Sequence, residues 1–254
     1  MLDLLLEQLG AFDVGTATAF FAVVNLCLFA ASVIGCWALG RLFARRRLFD
    51  RWEPFSPVEG LATIVCIVIN VAVSVVGWQL WTLGHITLTQ DRSLGDVLLD
   101  TALMVMAMDL GMYVLHRVAH HPWLFRAFHS FHHRHEVTNP ISLFVLHPFE
   151  VLGFGGLMIA FLWLYPMAPA ALVAYLTLNL VFGTLGHSGV EPFPAALSRI
   201  PLLRLVGTST FHAEHHEHPG TNFGFYTLVW DHLFGTLDPE YWQRYRTAVS
   251  GPSP

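Results

Sequence analysis

The stretch HRVAHHPWLFRAFHSFHH, residues 116–133, holds six of the chain's fifteen histidines and directly follows a long apolar run. It contains two boxes, HRVAHH over 116–121 and HSFHH over 129–133, and a third, HAEHH, follows over 212–216. Residues three and four apart share a helix face. His116 therefore stacks on His120, while His121 turns about 140° away from His116. In the second box His132 and His133 fall within about 60° of His129 on the same wheel, and His212, His215 and His216 repeat the arrangement. Each HxxHH box is thus expected to aim three imidazoles at one point. Neutral imidazole suits iron, zinc, copper and nickel. A solvated surface position would explain one such histidine, but not three boxes at helical spacing. Eight imidazoles exceed the roughly four to six ligands that one ion takes, so two metals are implied. Neutral ligands leave the metal charge uncompensated, which favours oxygen chemistry.

Outward from the boxes the chain is apolar. It has 254 residues, 54% hydrophobic and 12% charged, with a mean hydropathy of +0.54. A soluble domain carries about twice that charged fraction, so the composition predicts a membrane protein of one domain, 1–254. Residues 16–43, 58–83 and 94–115 are each long enough for a bilayer span, which takes about 20 residues. Residues 151–165 and 168–185, joined by a Pro-Met-Ala-Pro turn, are shorter and read either as spans or as a hairpin. The acidic start lacks a basic n-region, so the first run reads as a retained span. Cys27, Cys36 and Cys66 sit in apolar runs and read as small fillers. The tail SGPSP is expected to be disordered. All thirteen basic residues are arginine, the net charge is -5, and no basic patch with interleaved aromatics suggests nucleic acid.

Arginine placement gives the orientation. If the chain starts outside, the segments 41–57, 116–150 and 186–254 lie in the cytosol. These hold twelve of the thirteen arginines, with only Arg92 outside. The same topology puts all three boxes and His187 on one side.

The pattern HxxxH, HxxHH, HxxHH on a short multi-span chain resembles the fatty acid hydroxylase and sterol desaturase superfamily. DLGMYVLHR over 109–117 resembles the family's approach to its first box. HPFE over 147–150, GHSG over 186–189, NFG over 222–224 and WDHLFGT over 230–236 resemble its further motifs. The resemblance covers residues 100–240, the histidine-box catalytic region, and residues 1–99 match only as generic spans. It implies an all-α membrane protein of four to five membrane helices, with a cytosolic helical cap holding a two-metal histidine site. It also implies two iron ions, with zinc as a substitute in purified protein, and O2 as co-substrate. His116, His120, His129, His132, His133, His187, His212, His215 and His216 become the catalytic ligand candidates. His147 is chosen as a tenth, because the pattern lacks a second histidine that some members carry near His187; a structural hydrogen bond is its alternative role. The implied reaction is hydroxylation or desaturation of an aliphatic lipid, sterol, fatty acyl or related, entering from the bilayer. With no haem-binding or flavin domain in the sequence, electrons are expected from a separate carrier protein and reductase. A zinc hydrolase or metal transporter, and a haem electron-transfer protein, are the rival readings.

A ligating imidazole usually donates its other N–H to a carboxylate or carbonyl, and Asp109, Glu150, Glu214 and Asp231 are the candidate acceptors. His85, His135 and His232 are read as interfacial, Glu217 and His218 as solvent-facing, and Trp78, Trp81, Trp123, Trp163 and Tyr165 as interface anchors.

Overall fold

Polar caps fix where the apolar runs become helices. Asp13 accepts the Thr16 N–H at 2.7 Å and opens α2, Val14–Leu42. Ser56 with Glu59 opens α3, Pro57–Thr82, and Ser93 with Asp96 opens α4, Leu94–Ala119, each as a reciprocal capping box. His147 with Glu150 does the same for α6, Pro148–Leu164. Pro57, Pro148 and Pro169 stand at first-turn positions, where a missing N–H costs nothing. Each such cap contributes about 1 kcal/mol. The computed structural model describes residues 2–50, 54–90, 92–134 and 137–251. His135 and the last three residues of the tail lie outside the described residues.

The remaining helices are α1 (Leu2–Gly10), the single turn α5 (Pro122–Leu124), α7 (Pro169–Gly186), α8 (Ser209–Glu217), α9 (Val229–Phe234) and α10 (Tyr241–Ser250). Among the described residues there is no strand beyond isolated bridges, and four helices, α2, α3, α4 and α7, are long and apolar enough to cross a membrane. With the shorter α6 they close a ring in the order α2, α3, α6, α4, α7, each packed on its two neighbours. Leu26, Ile64, Leu98 and Val173 point outward and are more than half exposed. Apolar surface of that extent needs lipid to cover it, and the protein is a multi-pass membrane protein.

Polar groups inside the ring are matched. Asp100 accepts from the Tyr165 hydroxyl at 2.8 Å and the Ala168 N–H at 2.7 Å, pinning the α6–α7 turn. Ser32 and Thr184 join α2 to α7 at 3.1 Å, and the Cys36 thiol donates to the Thr184 carbonyl at 3.4 Å. Trp78, read as an interface anchor, is instead buried; its indole N–H donates to the Leu9 carbonyl at 2.8 Å and docks α1.

The ring sorts its loops to two ends. The bridge between Leu88 and Met167 joins the loop after α3 to the α6–α7 turn. At the other end Arg47 bridges Val190, and Glu59 accepts from Asn139 at 3.0 Å. That second end gathers the C-termini of α2, α4 and α7, the N-termini of α3 and α6, and all three histidine boxes.

Candidate metal centre

Four pieces of chain meet at this end. The last turn of α4 carries His116, and His120 caps its C-terminus. After α5 the chain makes a π-helical turn, Phe125–His129, and then a single 3-10 turn that carries His132 and His133. His187 caps α7, and α8 carries the third box. The imidazoles fall into two groups: His116, His120, His129, His133 and His215 in one, and His132, His187, His212 and His216 in the other. Within each group one nitrogen per ring lies within 4.8 Å of all the others. The groups touch, with the His133 and His216 rings 4.7 Å apart.

The boxes do not each converge on one point, as their spacing suggested. His129 and His133 join the five-membered group while His132 goes to the other. His212 and His216 join the four-membered group while His215 crosses over. On α8 the reason is angular: neighbours 215 and 216 diverge by about 100°, enough to address two centres flanking the helix. The second box does the same from a non-α backbone, which the wheel does not describe.

The outer nitrogens are held by the surrounding chain. His116 Nδ1 lies 2.9 Å from the Phe223 carbonyl, His132 Nδ1 3.2 Å from the Val145 carbonyl, and His215 Nδ1 2.6 Å from the Thr221 carbonyl. His129 Nδ1 meets Glu150 Oε1 at 2.5 Å, with both side chains buried. The Ser142 hydroxyl gives its hydrogen to the Asn139 carbonyl, so at 2.7 Å it accepts from His187 Nδ1. Carbonyls and carboxylates only accept, so these Nδ1 atoms carry the proton and the Nε2 atoms present bare lone pairs.

Those lone pairs face one another. His133 Nε2 lies 3.1 Å from both His129 Nε2 and His215 Nε2. His212 Nε2 lies 3.1 Å from His187 Nε2 and 3.2 Å from His216 Nε2. One hydrogen on His133 cannot serve two acceptors, and His120 Nε2 is buried with no partner among the described residues. A cation at the focus of each group resolves both conflicts, and the donor set fits borderline divalent metals. Burial, reinforced by neighbouring imidazoles, holds His187, His212, His215 and His216 well below the usual histidine range. The rings are therefore neutral at physiological pH, the form that binds metal.

His147 is not brought to either group. Its ring stacks on Phe149 and meets Phe128 at a tilt, and its Nδ1 accepts the Phe149 N–H at 3.4 Å as the cap of α6. His85, His121 and His232 are exposed and stand apart from both groups. Of the four acidic candidates, only Glu150 touches a box histidine. Asp109 accepts from the Tyr226 N–H at 2.8 Å and the Thr227 hydroxyl at 2.5 Å. Asp231 accepts from the Phe223 and Gly224 N–H groups, each at 2.8 Å. Both aspartates thus act on the loop over 221–228, whose carbonyls hold His116 and His215. Glu214 turns away to pair with Arg244 of α10, which also pairs with Glu217 at 3.2 Å.

The loop explains the NFG motif. Asn222 adopts a φ of 60°, a left-handed conformation that asparagine tolerates, and a Cβ at Gly224 would collide with the Thr227 carbonyl. Sequence reasoning missed Ser142, which holds His187, and Glu191, which fixes the start of α8 by accepting the Thr210 N–H at 2.9 Å and its hydroxyl at 2.7 Å. No motif marks Ser142; Glu191, four residues after His187, was an acid close to a box.

Residues 101–236 match the family model described as Fatty acid hydroxylase. The chain is similar to "Very-long-chain aldehyde decarbonylase GL1-6" of Oryza sativa subsp. indica, 36% identical over 146 residues that cover 55% of this chain and 23% of that protein. It is similar also to "Very-long-chain aldehyde decarbonylase GL1-1" of the same source, 30% identical over 67% of this chain and 28% of that protein. "Protein CER1-like 1" of Arabidopsis thaliana is 31% identical over 55% of this chain and 24% of its own length. The chain thus spans about a quarter of the length of these curated relatives. No solved structure matches it.

Proposed function

The chain belongs to the fatty acid hydroxylase family, and from that premise we propose that it is a membrane-embedded oxygenase that uses two iron ions and O2 to hydroxylate or desaturate an aliphatic lipid. The observation that carries this reading is the division of nine imidazoles into adjacent groups of five and four. Bound iron would supply the activation of O2 needed to break an unactivated C–H bond. The chain's own residues orient the ligands. Phe223, Val145 and Thr221 offer carbonyls, Ser142 a hydroxyl, and Glu150 a carboxylate to the ligand rings. The Phe223 ring, 5.1 to 5.7 Å from those of His116, His120 and His215, walls the five-membered group from water.

The relatives' printed names favour a second reaction at the same centre, decarbonylation of a long-chain aldehyde. On the arginine distribution, the centre is proposed to face the cytosol, where a separate electron carrier and its reductase would supply electrons.

Metal analysis of anaerobically purified protein tests the centre. Two metals per chain are expected, and iron reconstitution should restore turnover to any sample loaded with zinc. One metal per chain would refute the two-metal reading. Mass spectrometry of lipid extracts from cells with and without the gene then separates an added hydroxyl, an added double bond and a shortened chain.

A further inference from the structure

One segment of the box end carries apolar side chains that neither the metal centre nor the helix ring uses. Residues 192–213 hold two basic side chains, Arg199 and Arg204, and no acidic one, in a chain whose net charge is -5. Between the 3-10 turns Ala195–Arg199 and Leu203–Leu205, Ile200, Leu202 and Leu203 are 47%, 76% and 41% exposed. The inner side of the same segment is anchored, with Leu197 buried among Phe211, Tyr241 and Tyr245. The three aliphatic side chains therefore form a fixed outward face.

Hydrogen bonds set the depth of that face against the membrane helices. Leu205 accepts the Leu228 N–H at 2.8 Å, and the Gly207 N–H donates to the Tyr226 carbonyl at 2.8 Å. Tyr226 and Thr227 are in turn held by Asp109 of α4. The outward apolar row of α4 continues past Asp109 through Leu110 to Val114, 37% and 46% exposed, about 7 Å further along the axis. Asp109 and the loop it holds thus lie within the span. On α7 the register agrees. The Ser209 hydroxyl donates to the Leu185 carbonyl at 2.6 Å, and Gly207 lines one small cavity with Phe182, Gly183 and Gly186. Residues 205–209 therefore run beside the last turns of two membrane helices, and the aliphatic face just before them is continuous with the lipid-covered surface.

Charge selects the lipid. The Arg204 guanidinium lies 4.7 Å from the Trp242 ring centroid, and among the described residues no carboxylate pairs with Arg199 or Arg204. Arginine beside aliphatic side chains at a membrane boundary suits phosphate headgroups above acyl chains. An acidic soluble protein would answer the charge, but it would not reach side chains at the depth of the bundle's apolar surface.

We propose that residues 199–204 insert into the lipid monolayer at the box end, with Ile200, Leu202 and Leu203 among the acyl chains and Arg199 and Arg204 on anionic headgroups. The segment leads directly to Thr208, the cap of α8, so the membrane surface also steadies the helix that carries the third box. This rests on the membrane topology of the bundle and is independent of the reaction at the metal centre.

Quenching of a single label in reconstituted vesicles tests the assignment. Leu202→Cys in a Cys27→Ala background, where the two remaining native thiols are buried, takes a bimane label on the full chain. In vesicles of phosphatidylcholine brominated on its acyl chains, fluorescence at position 202 should fall nearly as far as for a label at Leu98 on the outer face of α4. It should fall much further than for a label at Thr247, an exposed position on α10. Leu203→Cys gives the same reading should the first variant fail to fold. An arginine beside an anionic surface is worth about a fivefold preference. Brominated phosphatidylglycerol diluted into phosphatidylcholine should therefore quench the label more than brominated phosphatidylcholine at the same dilution, and Arg199→Gln with Arg204→Gln should abolish that excess. A label at position 202 that brominated chains leave untouched and aqueous iodide quenches would overturn the proposal and return the face to a soluble partner. Equal quenching by the two brominated lipids, with both arginines present, would overturn the assignment of anionic headgroups.

Discussion

Glu150→Gln removes one charge from beside the proposed centre and leaves the side chain's shape intact. The native carboxylate serves two donors, His129 Nδ1 at 2.5 Å through Oε1 and the His147 N–H at 2.9 Å through Oε2. Glutamine can present its oxygen to only one of them, and its NH2 must face the other, donor against donor. The His129 and Glu150 side chains are 3% and 6% exposed, so water cannot relieve the mismatch. Removing the partner of a ligating imidazole lowers metal affinity about 10- to 100-fold, or about 1.4 to 2.7 kcal/mol. If the misfit falls on the His147 side instead, weakening of the α6 cap costs about 1 kcal/mol of folding stability. His129 belongs only to the five-histidine group, so the affinity loss should fall on one metal of the two. Chelator competition on the purified protein should show biphasic release, with one metal leaving at a lower chelator concentration and the second unchanged. A variant that loses both metals together, or that keeps both at native affinity with folding stability unchanged, would refute the reasoning.

Three further outcomes follow from the geometry. His132→Ala and His133→Ala, adjacent in sequence, should each lower metal content toward one per chain but empty different sites; double-labelling with two spectroscopically distinct metals would separate them, and identical spectra would contradict the split box. His147→Ala should cost about 1 kcal/mol of folding stability through its cap yet keep both metals, and a one-metal product would return His147 to the ligand set. The third outcome concerns acid. His133, His187, His212, His215 and His216 are held below 6.5 by burial and by neighbouring imidazoles. The unfolded chain therefore takes up protons near pH 6.5 that the folded chain refuses. Stability of the metal-free protein is full above that pH and falls as pH drops below it, by up to about 1.4 kcal/mol per pH unit for each histidine. Thermal unfolding should show a midpoint several degrees lower at pH 5.5 than at pH 7.5, and a midpoint that rises on acidification would contradict the burial of neutral rings.

Much of this protein is written in one dimension. Apolar runs of span length bounded by Ser56, Ser93 and paired prolines define the helices, because lipid demands continuous apolar surface and backbone hydrogen bonds closed within each helix. Box spacing identifies eight of the nine histidines that come together, since helical neighbours share a face whatever the rest of the fold does, and the family resemblance supplies the ninth, His187. Glu150 was one of four acids named for their nearness to the boxes in sequence, and nothing in the sequence set it apart from Asp109, Glu214 and Asp231.

The allocation of those histidines was not legible. Whether His132 and His133 address one metal or two depends on a π-helical turn and a 3-10 turn, and no helical wheel describes these. The roles of Asp109, Asp231 and Glu214 were also hidden. Asp109 shares a face with His116 on α4, but a loop more than a hundred residues later arrives first and takes its oxygens. Sequence by itself determined which residues are of a type and period to bind metal within a membrane bundle. Only the tertiary structure decided which imidazoles share a focus and which carbonyl holds each ring, because those are contacts between segments far apart in the chain, fixed by how five helices and one loop pack.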